Sequence, residues 1–150
     1  MNKGDRFRDC LYREILSWNV GIRALTEKPV GYRFVNKSRI LDIVLQYEGK
    51  YLGIEAKLQE TEGTTYQKIS YSLDDCLASP IPTILVFAGS GIAMDMKAKL
   101  IASGKGIEVD FKPDRLDPQK DTIQDSDSLF QQRVYIELGL DWFSLFPSNP

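Results

Sequence analysis

The 150-residue sequence contains no histidine. That absence removes Ser-His and Cys-His triads, zincin motifs and any nuclease whose general base is an imidazole. Catalysis in this chain would have to run on carboxylates, Lys, Tyr and a metal. Cysteine is scarce: Cys10 and Cys76 stand far apart in apolar helical patterns and read as buried thiols rather than a disulfide or ligand pair. No apolar run approaches 18 residues and no leader pattern opens the chain, so a cytoplasmic protein with no membrane segment is expected. A strong net charge is missing too, with 19 basic against 21 acidic residues. That balance counts mildly against a nucleic-acid binder, but acidic site residues can mask a local basic face. With 43% hydrophobic residues, a single domain over 1–150 has enough chain for a proper core.

The most informative stretch is Ile40 to Gln59. Two short apolar-rich runs, Ile40–Tyr47 and Lys50–Lys57, flank Glu48-Gly49, a hairpin turn signal. Strand side chains alternate, so Ile40, Asp42, Val44 and Gln46 share one face. Gly53, Glu55 and Lys57 likewise share a face of the second run. Charges are seldom buried without a partner or a metal. Two converging carboxylates repel unless a cation lies between them, and Mg²⁺ takes one or two carboxylates plus waters and phosphate oxygens. Lys57 could then orient an attacking water or stabilise charge on a phosphate. The competing reading makes Glu55 and Lys57 an exposed ion pair and Asp42 a solvated strand-edge charge.

Asp42, a turn, then Glu55-Ala56-Lys57 resembles the signature of the PD-(D/E)XK nuclease superfamily. That group includes type II restriction enzymes, Holliday-junction resolvases and some homing endonucleases. Leu41 stands where the family name has Pro. The resemblance spans about Phe7 to Val109 and implies that Asp42 and Glu55 bind Mg²⁺, with Mn²⁺ able to substitute, while Lys57 assists the water. It also implies a role for Glu14. Lys3–Asn19 reads as a helix with Phe7, Leu11, Ile15 and Trp18 on its apolar stripe. Glu14 falls about 20° from Phe7 at 100° per residue, within that stripe. A first-helix glutamate often approaches the metal in this family; the alternative is a boundary residue paired with Arg13 or another cation.

Gly21 is expected to end the first helix, Ile22–Val30 to form a loop, and Tyr32–Val35 a strand. Arg23, Lys28, Arg33, Lys37 and Arg39 are five cations against Glu27 alone, interleaved with Tyr32 and Phe34. They read as a DNA-backbone footprint or as a solvated rim. After a polar loop from Leu58 to Thr65, where Thr64 or Thr65 could cap, a helix is expected over Tyr66–Ala78. Gln67 and Tyr71 share its face, and Gln-x-x-x-Tyr resembles an accessory motif of RecB-like members that touches DNA or orients the site. Lys68 in the first turn and Gln59, two residues beyond Lys57, join the same second tier.

Ser79–Pro82 breaks the helix, and Thr83–Ala88 reads as a buried parallel strand. Gly89-Ser90-Gly91 is a tight turn rather than a nucleotide loop, because Met94 replaces the third glycine of such a fingerprint. A helix over Ile92–Ala102 and a strand over Ile107–Phe111 follow. The fold class is α/β, a mixed central sheet flanked by helices, as in a restriction-endonuclease-like core. Lys112–Ser128, with Asp114, Asp117, Asp121, Asp125 and Asp127, reads as a polar connector. The tail from Leu129 reads as a helix, with Arg133–Leu138 as an alternative strand. Its aromatics would dock on the core or form a subunit contact.

The activity this points to is a metal-dependent DNA endonuclease of restriction or homing type. A Holliday-junction resolvase and a catalytically silent DNA-binding or assembly module on the same fold are the alternatives. The partners would be DNA and, for cutting both strands, a second copy in a symmetric homo-oligomer, dimer or higher.

Overall fold

The structure, a computed structural model, describes residues 2–34, 37–61 and 65–146, and the side chains within them except those of 32–34, 37 and 65–67. Helix α1 spans Lys3–Ser17 and is capped by Asn2, whose side chain accepts from Asp5 N at 2.7 Å. It ends two residues before Asn19, which turns the chain at φ 51°, so the stop precedes the expected Gly21. The segment expected as a loop over Ile22–Val30 is instead the larger part of a long strand, β1 (Arg23–Phe34). Pro29 is compatible with that strand because β1 is the edge of the sheet, where proline is tolerated.

Strands β2 (Lys37–Tyr47) and β3 (Lys50–Leu58) form the expected hairpin. Its turn residues Glu48 and Gly49 have φ 45° and 79°, the two positive values that a tight two-residue turn between twisted strands requires. Helix α2 (Thr65–Ala78) carries the chain to β4 (Thr83–Ala88), and α3 (Met94–Ala102) carries it to β5 (Gly106–Glu108). The sheet order is β1-β2-β3-β4-β5; the first three strands are antiparallel, and β3-β4 and β4-β5 are parallel.

Alternation along the strands divides the core in two. Leu52 and Ile54 of β3 and Ile84, Val86 and Ala88 of β4 pack with Phe7, Leu11 and Ile15 of α1. Phe130, Val134 and Leu138 join them from α4 (Leu129–Leu138). On the opposite face Leu85 and Phe87 meet Ile69, Leu73 and Cys76 of α2 and Met96 and Leu100 of α3. β4 is buried along its whole length, as its continuous apolar run requires. Burial of each such side chain contributes roughly 1.5–3 kcal/mol. Both cysteines are free and buried.

The Lys112–Ser128 stretch departs from a plain connector. Its ends pair as strands β6 (Asp110–Lys112) and β7 (Thr122–Gln124). Between them Asp121 accepts two bonds from Arg6 of α1, at 2.5 and 2.8 Å, and one from Asp114 N at 2.6 Å. The aspartates that read as solvation are therefore partly the pins of a folded loop. After it α4 is helical where a strand was the alternative, and its Phe130 and Tyr135 pack on Trp18, the residue that caps the end of α1. The tail aromatics Trp142, Phe143 and Phe146 cluster on one another, with Phe143 exposed. No helix among the described residues is long and apolar enough to cross a membrane.

Candidate active site

The site forms where β2 leaves β3. The antiparallel ladder pairs Tyr47 with Lys50 and ends at Ile43 with Ile54. One residue further, side chains replace the ladder. Asp42 Oδ2 accepts from Ala56 N at 2.7 Å, and Glu55 Oε1 accepts from Asp42 N at 3.3 Å. Each carboxylate thus satisfies a backbone donor of the other strand, and the two acids meet in the gap. Behind them Gly53 allows a close approach: a Cβ there would lie 2.7 Å from Leu41 Cδ1 and Thr83 Oγ1. Leu41, the residue in the family's proline position, is buried in that contact.

Both carboxyls are half-buried, and burial is the main cause of their altered acidity. Asp42 is pushed above its ordinary range by burial, against the pull of the Ala56 N–H and of Lys57. Burial, reinforced by the Asp42 charge, pushes Glu55 from 4.5 to about 7, with Lys57 opposing. A cation between two acids that resist joint ionisation would relieve their repulsion. Among the described residues no group of three or more His, Cys, Asp or Glu could hold a metal ion, although Asp75 of α2 also acts on Glu55. A pair of carboxylates suits Mg²⁺, a hard ion that fills its remaining positions with water and phosphate oxygens.

Lys57 follows two residues on, on the same face of β3 as Glu55, and its charge acts on both acids. The strand is fixed beyond it by the Gly89-Ser90-Gly91 turn. Gly91 N donates to Gln59 O at 2.8 Å, and Gln59 N donates to Ala88 O at 3.0 Å. A Cβ on Gly89 would lie 2.1 Å from Gln59 O, and one on Gly91 2.5 Å from Thr61 O. The two glycines are there for backbone approach, in agreement with the tight-turn reading.

The remaining expected residues are spread more widely. Gln59 is half-buried, and its amide donates to Thr61 O at 2.6 Å. Glu14 is not brought to Asp42 and Glu55; it accepts from the Trp18 indole at 3.4 Å, on the side of α1 that meets α4. The stripe of Phe7, Leu11 and Ile15 packs on the sheet as expected, but Glu14 turns to the Trp18 end of the helix, and its partner is an indole rather than a cation. Arg39 is 6% exposed and donates to Ala78 O at the end of α2, which makes it a buried strut where an open phosphate contact was expected. Arg23, Lys28, Lys68 and Tyr71 are exposed. Arg23 and Lys28 lie on the edge strand that carries the chain past Asp42. The side chains of Arg33, Lys37 and Gln67, and the Thr64 or Thr65 cap, lie outside the described residues.

Two charges near Asp42 escape a reading by motif. Arg8 and Glu27 both act on the Asp42 carboxyl, and they are bound to each other at 2.5 Å. Their one signal in the sequence is that Glu27 is the sole acid within the basic run from Arg23 to Arg39.

A family model described as a PD-(D/E)XK nuclease superfamily domain matches residues 6–124. No curated protein matches the sequence. Among solved structures, the chain is similar to a protein of unknown function designated AF1548, at 16% identity and a TM-score of 0.45, over 69% of this chain and 58% of that one. It is also similar to SfsA of Pyrococcus furiosus, solved in complex with Ca²⁺, at 14% identity and a TM-score of 0.39, over 70% of this chain and 54% of that one. The aligned part is thus little more than half the length of either structure. The mixed sheet flanked by helices is the restriction-endonuclease-like architecture, and the chain belongs to the PD-(D/E)XK nuclease superfamily.

Proposed function

We propose that this protein is a metal-dependent DNA endonuclease of restriction or homing type that hydrolyses phosphodiester bonds. The observation that carries the reading is the reciprocal clasp of Asp42 and Glu55, with Lys57 on the same strand face. Asp42 and Glu55 would hold Mg²⁺ or Mn²⁺. The ion, when bound, would supply charge neutralisation at the phosphate and a more acidic water. Lys57 positions the water or donates to a phosphoryl oxygen as negative charge builds on it. The clasp fixes the two carboxylates before substrate arrives, so little reorganisation is needed at the moment of reaction. Glu14 stays outside this set, and Gln59 acts on the strand exit by holding the Thr61 carbonyl.

DNA would lie along the exposed cations of β1, Arg23 and Lys28, with Lys68 and Tyr71 of α2 on the other flank. Cations placed there neutralise phosphates and fix the register of the duplex without reading bases. One core presents one site and cuts one strand. Double-strand cutting would use two copies related by a two-fold axis.

The test is cleavage of supercoiled plasmid, linear duplex and a four-way junction with Mg²⁺ or Mn²⁺, comparing wild type with Lys57→Ala. Duplex cleavage that disappears in the variant is the expected result. Cleavage confined to the junction would make the protein a resolvase. DNA binding without cleavage of any substrate would support a silent binding or assembly module instead.

A further inference from the structure

Thr26 pairs with Ile43 and Lys28 with Leu41, so the register sets Glu27 opposite Asp42. At that position β1 departs from strand geometry, and Glu27 has φ 54°. A residue with a side chain keeps the left-handed conformation inside a strand only where its surroundings impose it. Two carboxylates directly opposite on paired strands would repel. Here the Glu27 carboxylate is taken by Arg8, whose Nη1 lies 2.5 Å from Oε1. The same guanidinium meets Asp9 at 3.0 Å and Asp5 at 3.3 Å. The Arg8 side chain is only 13% exposed, although all three of its partners are acids on the outer part of α1 and β1. One mostly buried cation therefore gathers three acids, and it and one of them, Glu27, act on Asp42. A charge cluster of this kind is costly to desolvate, and a surface ion pair would not need it.

We propose that Arg8 is a positioning residue that holds Glu27 out of the metal position, so that only Asp42 and Glu55 face the cation. The inference rests on the metal reading of those two carboxylates. Guanidinium suits the task because it stays charged at any working pH and grips carboxylates with a planar fork. Without it, Glu27 stands across the strand pair from Asp42 with no cation to hold it. A third carboxylate would then draw a divalent ion more strongly and away from its productive place. Arg8 thus trades metal affinity for metal position.

Titration calorimetry with Mn²⁺ on the full chain tests this, using wild type, R8Q, E27Q and the R8Q/E27Q double variant, with plasmid cleavage at saturating Mn²⁺ alongside. R8Q is expected to bind Mn²⁺ about threefold tighter or more, as loss of a neighbouring positive charge dictates, yet to cleave more slowly. The double variant is expected to return toward wild type in both. R8Q affinity that is unchanged or weaker, with no reversal in the double variant, overturns the inference and leaves Arg8 a structural strut. Should R8Q fail to fold, R8K keeps the charge and loses the fork. R8K that binds Mn²⁺ tighter than wild type and cleaves more slowly supports the inference, and R8K identical to wild type in binding and cleavage overturns it. No Mn²⁺ uptake by wild type overturns the metal reading itself and this inference with it, whereas uptake unaltered in R8Q overturns the inference alone.

Discussion

Asp42 and Glu55 each hold the backbone of the other's strand, Asp42 through Ala56 N at 2.7 Å and Glu55 through Asp42 N at 3.3 Å. The acids are therefore part of the sheet as well as of the site. Their closeness is built in before any ligand arrives, and its cost is repulsion in a half-buried gap. A pH dependence follows from it.

Glu55 titrates at about 7 in the folded chain, against an ordinary 4.5. Between those values the native state binds more protons than the unfolded chain. Stability of the metal-free protein is then greatest below about pH 4.5 as far as this group is concerned, and falls as pH rises toward 7. The loss is on the order of 3 kcal/mol, from 1.36 kcal/mol per pH unit of difference. Denaturant melts in EDTA from pH 5 to 8 should show this fall, and Glu55→Gln should flatten it. Saturating Mg²⁺ should also flatten it, because the ion takes the place of the proton. A profile in EDTA that is level in wild type would argue against the raised acidity of Glu55.

Lys57 carries the second prediction. Its neighbours on β3 are set by the parallel pairing with β4, in which Lys57 lies opposite Phe87. Replacing it with alanine leaves that ladder intact, since the backbone makes it. Lys57→Ala should therefore melt close to wild type while cleavage falls about 10²-fold or more, the usual scale for a positioned proton donor or acceptor. Equal Mn²⁺ affinity in the two proteins would separate a role on water or phosphate from a role in holding metal.

Much of this site was legible in the sequence because its chemistry is local. Asp42, Glu55 and Lys57 fall on one hairpin, and the period of a strand is enough to put Glu55 and Lys57 on one face. The parallel strand β4 was legible from its unbroken apolar run. The edge strand was not, because a proline, a glycine and four charges over Arg23–Arg33 imitate a loop, and only pairing with β2 shows otherwise. Glu14 shows the limit of helical periodicity. It gives the stripe a residue belongs to but not which neighbour takes its side chain, and here the neighbour is the Trp18 indole one turn on. Arg8 and Glu27 are 19 residues apart and meet only through the docking of α1 beside the kinked edge strand, so no spacing rule reaches them.

The Gly89-Ser90-Gly91 turn should be intolerant of a single methyl group. Gly89 has φ 110°, which side chains rarely adopt, and an added Cβ would meet the Gln59 carbonyl at 2.1 Å. The atoms met all belong to the Gln59 backbone, which leaves no flexible side chain to give way. Gly89→Ala should cost about 2 kcal/mol or more, as strain of this kind adds to overpacking. Because Gln59 lies two residues past Lys57, cleavage in the folded fraction should fall as well. Ser90→Ala, on an exposed residue of the same turn, is the control and should change neither. Thermal melts paired with cleavage rates normalised to folded protein would check both halves.

Cations of one sequence run should separate by where they sit. Arg23 and Lys28 are exposed on the edge strand, while Arg39 is 6% exposed and bonded to Ala78 O. Each phosphate contact contributes nearly one unit to the slope of log affinity against log salt. Arg23→Ala and Lys28→Ala should each weaken DNA binding and reduce that slope by about 1, with little effect on melting. Arg39→Ala should do the opposite, because it removes the donor to the Ala78 carbonyl at the end of α2. A loss of about 1–3 kcal/mol in stability, from the unpaired buried carbonyl, with an unaltered salt slope is the expected result. Binding isotherms at four salt concentrations and a urea melt for each variant would decide the matter. A lowered slope in Arg39→Ala would mean that its guanidinium leaves Ala78 to reach the DNA, and α2 would then have to shift on binding.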